Sequence, residues 1–291
     1  MKESLSRKVF VGCNTLFMIL LCIVTIYPIL YVVFASFSDP VSLMAHSGIL
    51  VKPLGFSVEA YARAFEHPLI MSGYGNTLFI MVVGVVISIV LTAIGAFFLT
   101  RDNVMMQRPI GILILFTMFF NGGMIPFYFA VKDVGLYNSI WSQIIPTAIS
   151  TFNLMVMKAG FEAIPASLEE SAKIDGAGHL RVLFRIVLPL ALPTVAVMIL
   201  YYGVGYWNAW FYASVFLQDD AKWPLQLVAR QILIINDSSG AASGVDSGAQ
   251  LAISETIKYA VIVITSLPII ILYPFLQKYF VKGVMVGAVK G

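Results

Sequence analysis

Thr77-Leu-Phe-Ile-Met-Val-Val-Gly-Val-Val-Ile-Ser-Ile-Val-Leu-Thr-Ala-Ile-Gly-Ala-Phe-Phe-Leu99 is a run of 23 residues without a single charge. About 20 mostly apolar residues suffice for a helix to cross a bilayer. The run is continuously apolar, whereas strands of a membrane barrel alternate apolar and polar positions. Lipid offers the backbone no hydrogen bonds, so the segment must satisfy its own, and a helix does that. Working outward, five further stretches of this kind cover residues 9–37, 109–131, 139–157, 190–217 and 259–276. The expected architecture is all-α: a polytopic membrane protein of six transmembrane helices, forming one domain over residues 1–291.

The composition agrees. Hydrophobic residues make up 59% of the chain and charged residues 11%, against about 25% charged in an ordinary soluble domain. Mean hydropathy is +0.91. The formal net charge of +3 and the lack of a basic tract point away from nucleic acid, whose backbone calls for clustered Lys and Arg. Cys13 and Cys22 both lie in the first apolar run, where they read as small apolar fillers. His46, His67 and His179 stand apart from one another, and no Cys/His spacing suggests a metal site. Residues 9–37 follow Lys2, Arg7 and Lys8, as a secretion signal would, but their 29 residues exceed the roughly 7–15 of a signal's apolar core. They are expected to stay as the first span.

Lys and Arg collect on the cytoplasmic side of a membrane protein. With the N-terminus inside, twelve of the eighteen Lys and Arg residues fall inside. Both termini are therefore expected in the cytoplasm of a cell-membrane protein. Two long segments, 38–76 and 218–258, then lie outside, and Lys132 with Asp133 forms a solvated turn. Residues 158–189 make a long cytoplasmic loop.

That loop contains Ile164-Pro-Ala-Ser-Leu-Glu-Glu-Ser-Ala-Lys-Ile-Asp-Gly-Ala-Gly-His-Leu-Arg-Val-Leu-Phe-Arg-Ile-Val-Leu-Pro189. Ser167 with Glu170 predicts a capping box at the start of a short helix, broken at Gly176 and Gly178. A second helix follows from His179, with Leu180, Leu183, Phe184 and Val187 on one apolar face. Arg181 and Arg185 take another face, and Pro189 opens the fifth span. Without further information this is a re-entry loop of two solvated helices, or a knob shaped for a partner's groove.

The loop resembles the EAA loop of ABC importer permeases: Glu-Ala-Ala, three residues, Gly, nine residues, then Ile-x-Leu-Pro. Glu170, Ser171, Ala172, Gly176, Ile186, Leu188 and Pro189 stand at those spacings, and Asp175-Gly176-Ala177 matches the Asp-Gly-Ala core. Ser171 replaces an Ala and is small enough to pack alike. The resemblance continues through Phe119-Phe-Asn-Gly-Gly-Met-Ile-Pro-Phe-Tyr128, Gly135-Leu-Tyr-Asn-Ser-Ile-Trp141, Gly205-Tyr-Trp-Asn-Ala-Trp-Phe211, Pro224-Leu-Gln-Leu227 and Arg230-Gln-Ile-Leu233. The tail, Lys278-Tyr-Phe-Val-Lys-Gly-Val-Met-Val-Gly-Ala-Val-Lys-Gly291, is similar to the end of the maltose-permease-like second subunit. Within the group, the resemblance is strongest to the subfamily for acidic oligosaccharides such as aldouronate, rhamnogalacturonan or alginate fragments.

This resemblance implies an ABC type I importer permease fold and an ATP-driven, binding-protein-dependent importer of sugars that works by alternating access. Glu169, Glu170, Ser171, Ala172, Asp175, Gly176, Ala177 and Pro189 would form the coupling loop seated in a cytoplasmic ATPase. Gly287, Lys290 and Gly291, in the tail 278–291, would reach between the ATPases. Implied partners are a second homologous permease, two copies of the ATPase, an extracytoplasmic solute-binding protein and the sugar. No catalytic residue, metal or cofactor is expected in this chain. It lacks the Gly-x-x-x-x-Gly-Lys-Ser/Thr phosphate loop, so ATP and magnesium would be used by the partner ATPases.

Polar and aromatic groups within spans usually face a bundle's interior. Asn121, Tyr128, Asn153, Tyr206, Trp207 and Asn208 are candidates to line a sugar path, by ring stacking and amide hydrogen bonds. Gluing helix to helix, or forming an interface belt, are the plainer alternatives. Gly95, Gly111, Gly122 and Gly123 are expected to permit close packing or a break, and Pro28, Pro126 and Pro146 to kink helices. Other cargo for an ABC permease, or an ion-coupled carrier or membrane enzyme, are the competing readings. The last two normally bury titratable groups, and no Asp, Glu or His stands mid-span here.

Overall fold

The computed structural model describes residues 4–101, 104–242 and 248–288. Among these the protein is helical, and the one β-type pairing is an isolated antiparallel bridge between Ser38 and Phe56. The chain forms two compact units.

The first unit holds residues 1–68 and 229–267. It begins with α1 (Leu5–Ser36), a 32-residue helix capped by the Ser4 hydroxyl and running unbroken through Pro28. Its most apolar window is 0% buried within the chain, as befits a helix whose solvent is lipid. Two short helices follow, α2 (Pro40–Met44), with Asp39 as its N-cap, and α3 (Glu59–Glu66). They fold back on the end of α1 around Ala35, Leu43 and Leu50. Tyr61 shares a hydrogen bond with Ser36 at 2.8 Å, and Phe37 packs between Phe56 and Tyr61.

The second unit holds residues 69–228 and 268–291. It opens with α4 (Pro68–Leu99), the helix of the opening run. Then come α5 (Gln107–Phe119), α6 (Met124–Asp133) and α7 (Thr151–Glu162). Next are α8 (Ala166–Ile174), α9 (His179–Val182), a π-helical turn over Leu183–Val187 and α10 (Leu188–Leu190). Then follow α11 (Leu192–Trp207) and α12 (Phe211–Phe216). The last two helices are α13 (Leu225–Ala242) and α14 (Gly248–Ala288).

The buried residues of α4 are Ile70, Gly73, Thr77, Ile80, Gly84, Ser88, Thr92, Ala93, Ala96, Phe97 and Leu99. Between Gly73 and Ala96 all but Ile80 are small. Helices in lipid gain nothing from hiding one apolar side chain rather than another, so small residues that let backbones close in mark the contact face. A Cβ on Gly84 would stand 2.7 Å from the ring of Tyr206 on α11, and one on Gly95 would stand 3.0 Å from Leu154 on α7. Gly160 of α7 meets Thr194 of α11 in the same way.

Among the described residues, three helical segments are long and apolar enough to cross a membrane, or five if each of two bent pairs counts as one. The pair α5–α6 bends by 120° at residues 120–123, where Gly123 has φ 87° and the Asn121 side chain accepts its N–H at 2.9 Å. Pro126 lies in the first turn of α6, after the break rather than at a kink. The second pair bends by 87° at Ala191, between Pro189 and Pro193, so the helix within the expected span 190–217 starts at Leu192 and ends at Trp207, with α12 separate from it. The expected span 139–157 is not one helix. Residues 140–143 form a 3-10 turn, 144–150 are irregular around Pro146, and helix resumes only at Thr151. Proline lacks an N–H and disfavours helix in the residue before it.

Candidate functional site

Two places in the second unit gather the polar chemistry. The first is a cavity of about 720 Å3. The irregular stretch 143–150, the start of α7 and the last two turns of α11 surround it. Non-helical backbone in a membrane protein is tolerated where it is covered by protein or lines a cavity, and this stretch does both. Ile144 and Ala148 are buried, whereas Thr147 and Ser150 face the cavity.

Tyr202 and Tyr206, one turn apart on α11, form the cavity's wall and its tie to α4. Tyr206 Oη shares a hydrogen bond with Ser88 Oγ at 2.9 Å, and Tyr202 Oη one with Thr92 Oγ1 at 2.7 Å. Tyr202 Oη also accepts the Ser150 N–H at 3.1 Å. The two hydroxyl pairs make a ladder between antiparallel helices, each rung four residues from the next.

Of the six path candidates, the structure brings Asn153, Tyr206 and Asn208 together on this cavity. Asn208 caps the end of α11 and donates to the Val204 carbonyl at 3.0 Å. Trp207 is buried, with its ring edge-on to Tyr74, and is not among the lining residues. Asn121 holds the turn before α6, and Tyr128 stacks on Phe216. Gln143, Thr147, Ser150 and Trp210 also line the cavity and were not singled out from sequence. Gln143 was findable as an amide inside an apolar stretch; the others depend on where the chain leaves the helix.

The second place is the loop 164–189. Its first helix, α8, starts earlier than expected. Pro165 is the N-cap and no side chain bonds the first turn. Ser167 is already helical, its carbonyl accepting the Ser171 hydroxyl at 2.9 Å. The capping box is therefore not formed, because Pro165, which has no N–H to offer, sets the helix start two residues sooner. The break falls where expected, with Gly176 at φ 78°. After it, the π-helical turn over Leu183–Val187 shifts the helix phase. Val182, Leu183 and Val187 are buried, whereas Leu180 and Phe184 are exposed, so the expected single apolar face is split.

The two adjacent glutamates face opposite ways. Glu170 is exposed. Glu169 is only 7% exposed and meets Arg101, just past the end of α4. Arg101 Nη1 pairs with Glu169 Oε2, and Nη2 donates to Oε1 at 2.8 Å. The Arg101 side-chain hydrogen bonds hold the Glu169 carboxyl below the usual carboxylate range, burial opposing them in part. Arg101 counts only toward sidedness in a reading of the sequence, as the first charge after the apolar run. Ser171, Asp175 and Ala177 lie on the loop surface or half-covered, Ala172 is buried against the core, and Pro189 is exposed. Gly287 is in α14, while Lys290 and Gly291 lie outside the described residues.

Apolar helices long enough to cross a bilayer, packed beside a cavity lined by amides, hydroxyls and aromatic rings, define a membrane-embedded helical protein. Specifically, the chain belongs to the family of binding-protein-dependent transport system inner membrane components, whose model matches residues 109–286. It is 41% identical to the polygalacturonan/rhamnogalacturonan transport system permease protein YtcP of Bacillus subtilis (strain 168), over 94% of this chain and 96% of that one. It is also 41% identical to protein LplC of Bacillus subtilis (strain 168), over 100% and 98%. A crystal structure of a bacterial ABC transporter involved in the import of the acidic polysaccharide alginate contains a chain of the same fold. The TM-score is 0.87 at 33% identity, covering 96% of this chain and 99% of that one.

Proposed function

We propose that this chain is one permease of an ATP-driven, binding-protein-dependent importer of oligosaccharides that carry uronate groups. The observation that carries the reading is the outer surface of the loop 164–189. Ile174 is 86% exposed and Leu180 65%, beside exposed Glu170, Arg181 and Arg185. Apolar side chains among charges, on a helix–glycine–helix knob, suit the groove of a protein partner. In this reading the partner is a cytoplasmic ATPase, present twice, which uses ATP and magnesium. Closure of the ATPases moves the loop and switches the permease pair between inward-facing and outward-facing states. The tail 278–291 extends the same contact, and both termini are cytoplasmic. A second permease completes the path, and a solute-binding protein docks on the outside segments 38–76 and 218–258.

The cargo class comes from the relatives, two of which are named for acidic polysaccharides. The cavity suits such a cargo in part. Amides, hydroxyls and aromatic rings can bond and stack on sugar rings, while no Lys or Arg lines it. In this reading a cation that meets uronate charge comes from outside this cavity: from the partner permease, from the binding protein, or from Lys132 or Arg230 at the outer mouth.

The test is purification of the tagged chain from mild detergent, followed by ATPase assays with oligosaccharide-loaded binding protein. An ATPase and a second permease should accompany it, with hydrolysis stimulated by uronate oligomers. Stimulation by neutral sugars alone would overturn the cargo class, and a chain that purifies alone would overturn the importer reading.

A further inference from the structure

The loop 164–189 must do more than bind a partner if its movement is to reach the cavity. Something has to tie it to the helices behind it. The π-helical turn and α10 connect it to α11 along the chain, but that route bends by 87° at Ala191. A second route is carried by side chains alone and runs to α4.

Its grip is unusually complete on the α4 side. The Arg101 guanidinium lies 4.2 Å over the Phe97 ring. Nε donates to the Phe97 carbonyl at 3.3 Å, and Nη2 donates to Thr100 Oγ1 at 3.0 Å. The remaining edge of the fork meets both carboxylate oxygens of Glu169 on α8. Side-chain exposure is 16% for Arg101 and 10% for Glu169. A paired fork of this kind fixes orientation as well as distance, which a point charge cannot do. Farther along the same rigid helix, Thr92 and Ser88 hold Tyr202 and Tyr206. Thr92 lies about 14 Å from Arg101 at the helical rise per residue. One helix thus carries the arginine that holds the loop and the hydroxyls that hold the cavity wall.

We propose that Arg101 and Glu169 are positioning residues of the transport cycle: a clamp that makes α4 follow the loop and so moves the Tyr202–Tyr206 wall of the cavity. The proposal rests on the reading of the loop as the ATPase contact. It divides labour between the glutamates, Glu170 facing the partner and Glu169 facing α4.

The experiment uses the whole complex in proteoliposomes, with uronate oligosaccharide delivered by its binding protein. The readouts are sugar imported per ATP hydrolysed, and ATPase subunits retained on the tagged chain. Glu169→Gln and Arg101→Lys should retain the ATPase subunits while import per ATP falls at least about fivefold, the low end of an ordinary coupling factor. The double variant Arg101→Lys/Glu169→Gln should lose no more than the worse single variant, because either change already breaks the same contact. An unchanged ratio in Glu169→Gln, losses that simply add in the double variant, or loss of the ATPase subunits from both conservative variants would each overturn the clamp. The last result would make the pair a docking or folding element. If the unaltered chain retains no ATPase, the importer reading itself fails, and that is seen before any variant is compared.

Discussion

Glu169 and Glu170 differ by one position and by everything around them, which makes the pair a test of what local chemistry does. Unfolded, Glu169 titrates near ~4.3, like any glutamate; folded, the hydrogen bonds from Arg101 lower it. Its stabilising contribution is therefore whole above the unfolded value and is lost as pH falls through the lower folded one. The melting-temperature gap between the unaltered protein and Glu169→Gln should be flat from about pH 7 to 5, closing only below about pH 4.3. A gap already narrowing at pH 6 would mean that another group is responsible. Tyr206 offers a second residue-scale test. Removing its hydroxyl should be mild, at about 0.6 kcal/mol for a hydrogen bond between helices in lipid, because Ser88 can turn back to a carbonyl of its own helix. Gly84→Ala puts a Cβ 2.7 Å from the Tyr206 ring and should cost more, about 1–3 kcal/mol from overpacking. Unfolding in mixed detergent should rank the two variants in that order.

Among the elements, the loop's glycine turn separates backbone strain from crowding. Gly176 has φ 78°, and a Cβ there would meet nothing within 4 Å. A side chain therefore costs only what the left-handed backbone costs, about 1–2 kcal/mol, less for Asn and more for a β-branched residue. Uptake should fall in the order Gly, Asn, Ala, Val at position 176, with membrane levels of the protein unchanged. Normal uptake by Gly176→Val would sink the coupling role of the loop. The turn was legible in the sequence because glycine answers a local backbone demand. The apolar cores of α1, α4 and α14 were legible because lipid demands length and apolarity, but α4 and α14 begin at Pro68 and Gly248, inside segments read as outside loops, and all of α13 lies in such a segment. The face on which α4 packs was not legible, since that helix is apolar all round and its contact side is marked by small residues rather than by a hydrophobic stripe. The fate of residues 139–157 was hidden for a related reason. Their composition meets the needs of a span, while Pro146 and the cavity beside it decide that the backbone leaves the helix. The Arg101–Glu169 contact joins residues 68 positions apart, a distance at which neither period nor motif gives a signal. The side chains on the cavity follow from that same departure from regular helix.

Across the second unit, contacts sort the chain into two groups that agree with the distribution of Lys and Arg. At one end of α4, Asn76 donates to the carbonyls of Ala221 and Trp223, and Thr77 accepts the Leu225 N–H. Asn138 joins them, accepting the N–H groups of Gln218 and Asp219 and, at its carbonyl, the Lys222 ammonium. At the other end Arg101 holds Glu169, and Gln107 donates to the Leu99 carbonyl at 2.6 Å. Apart from Thr77 and Leu99, the end residues of the span itself, the first group contains segments that the positive-inside rule assigns to the outside, and the second segments that it assigns to the cytoplasm. Hydrogen bonds know nothing of membrane sidedness, so the agreement is independent support for the grouping, and orientation becomes a single question for the whole unit. Cys13 and Cys22 are the free cysteines of α1; with both changed to Ala, single cysteines can be placed at exposed Asp133, Asp220, Arg108 or Arg181. A membrane-impermeant maleimide should label Asp133→Cys and Asp220→Cys in intact cells, and Arg108→Cys and Arg181→Cys only after permeabilisation. The reverse pattern would invert the protein while keeping the groups, and with it the assignment of the loop to an ATP-using partner would fall. A pattern split within either pair would break the grouping itself, since the hydrogen bonds that define each end of α4 could not then form on one side of a membrane.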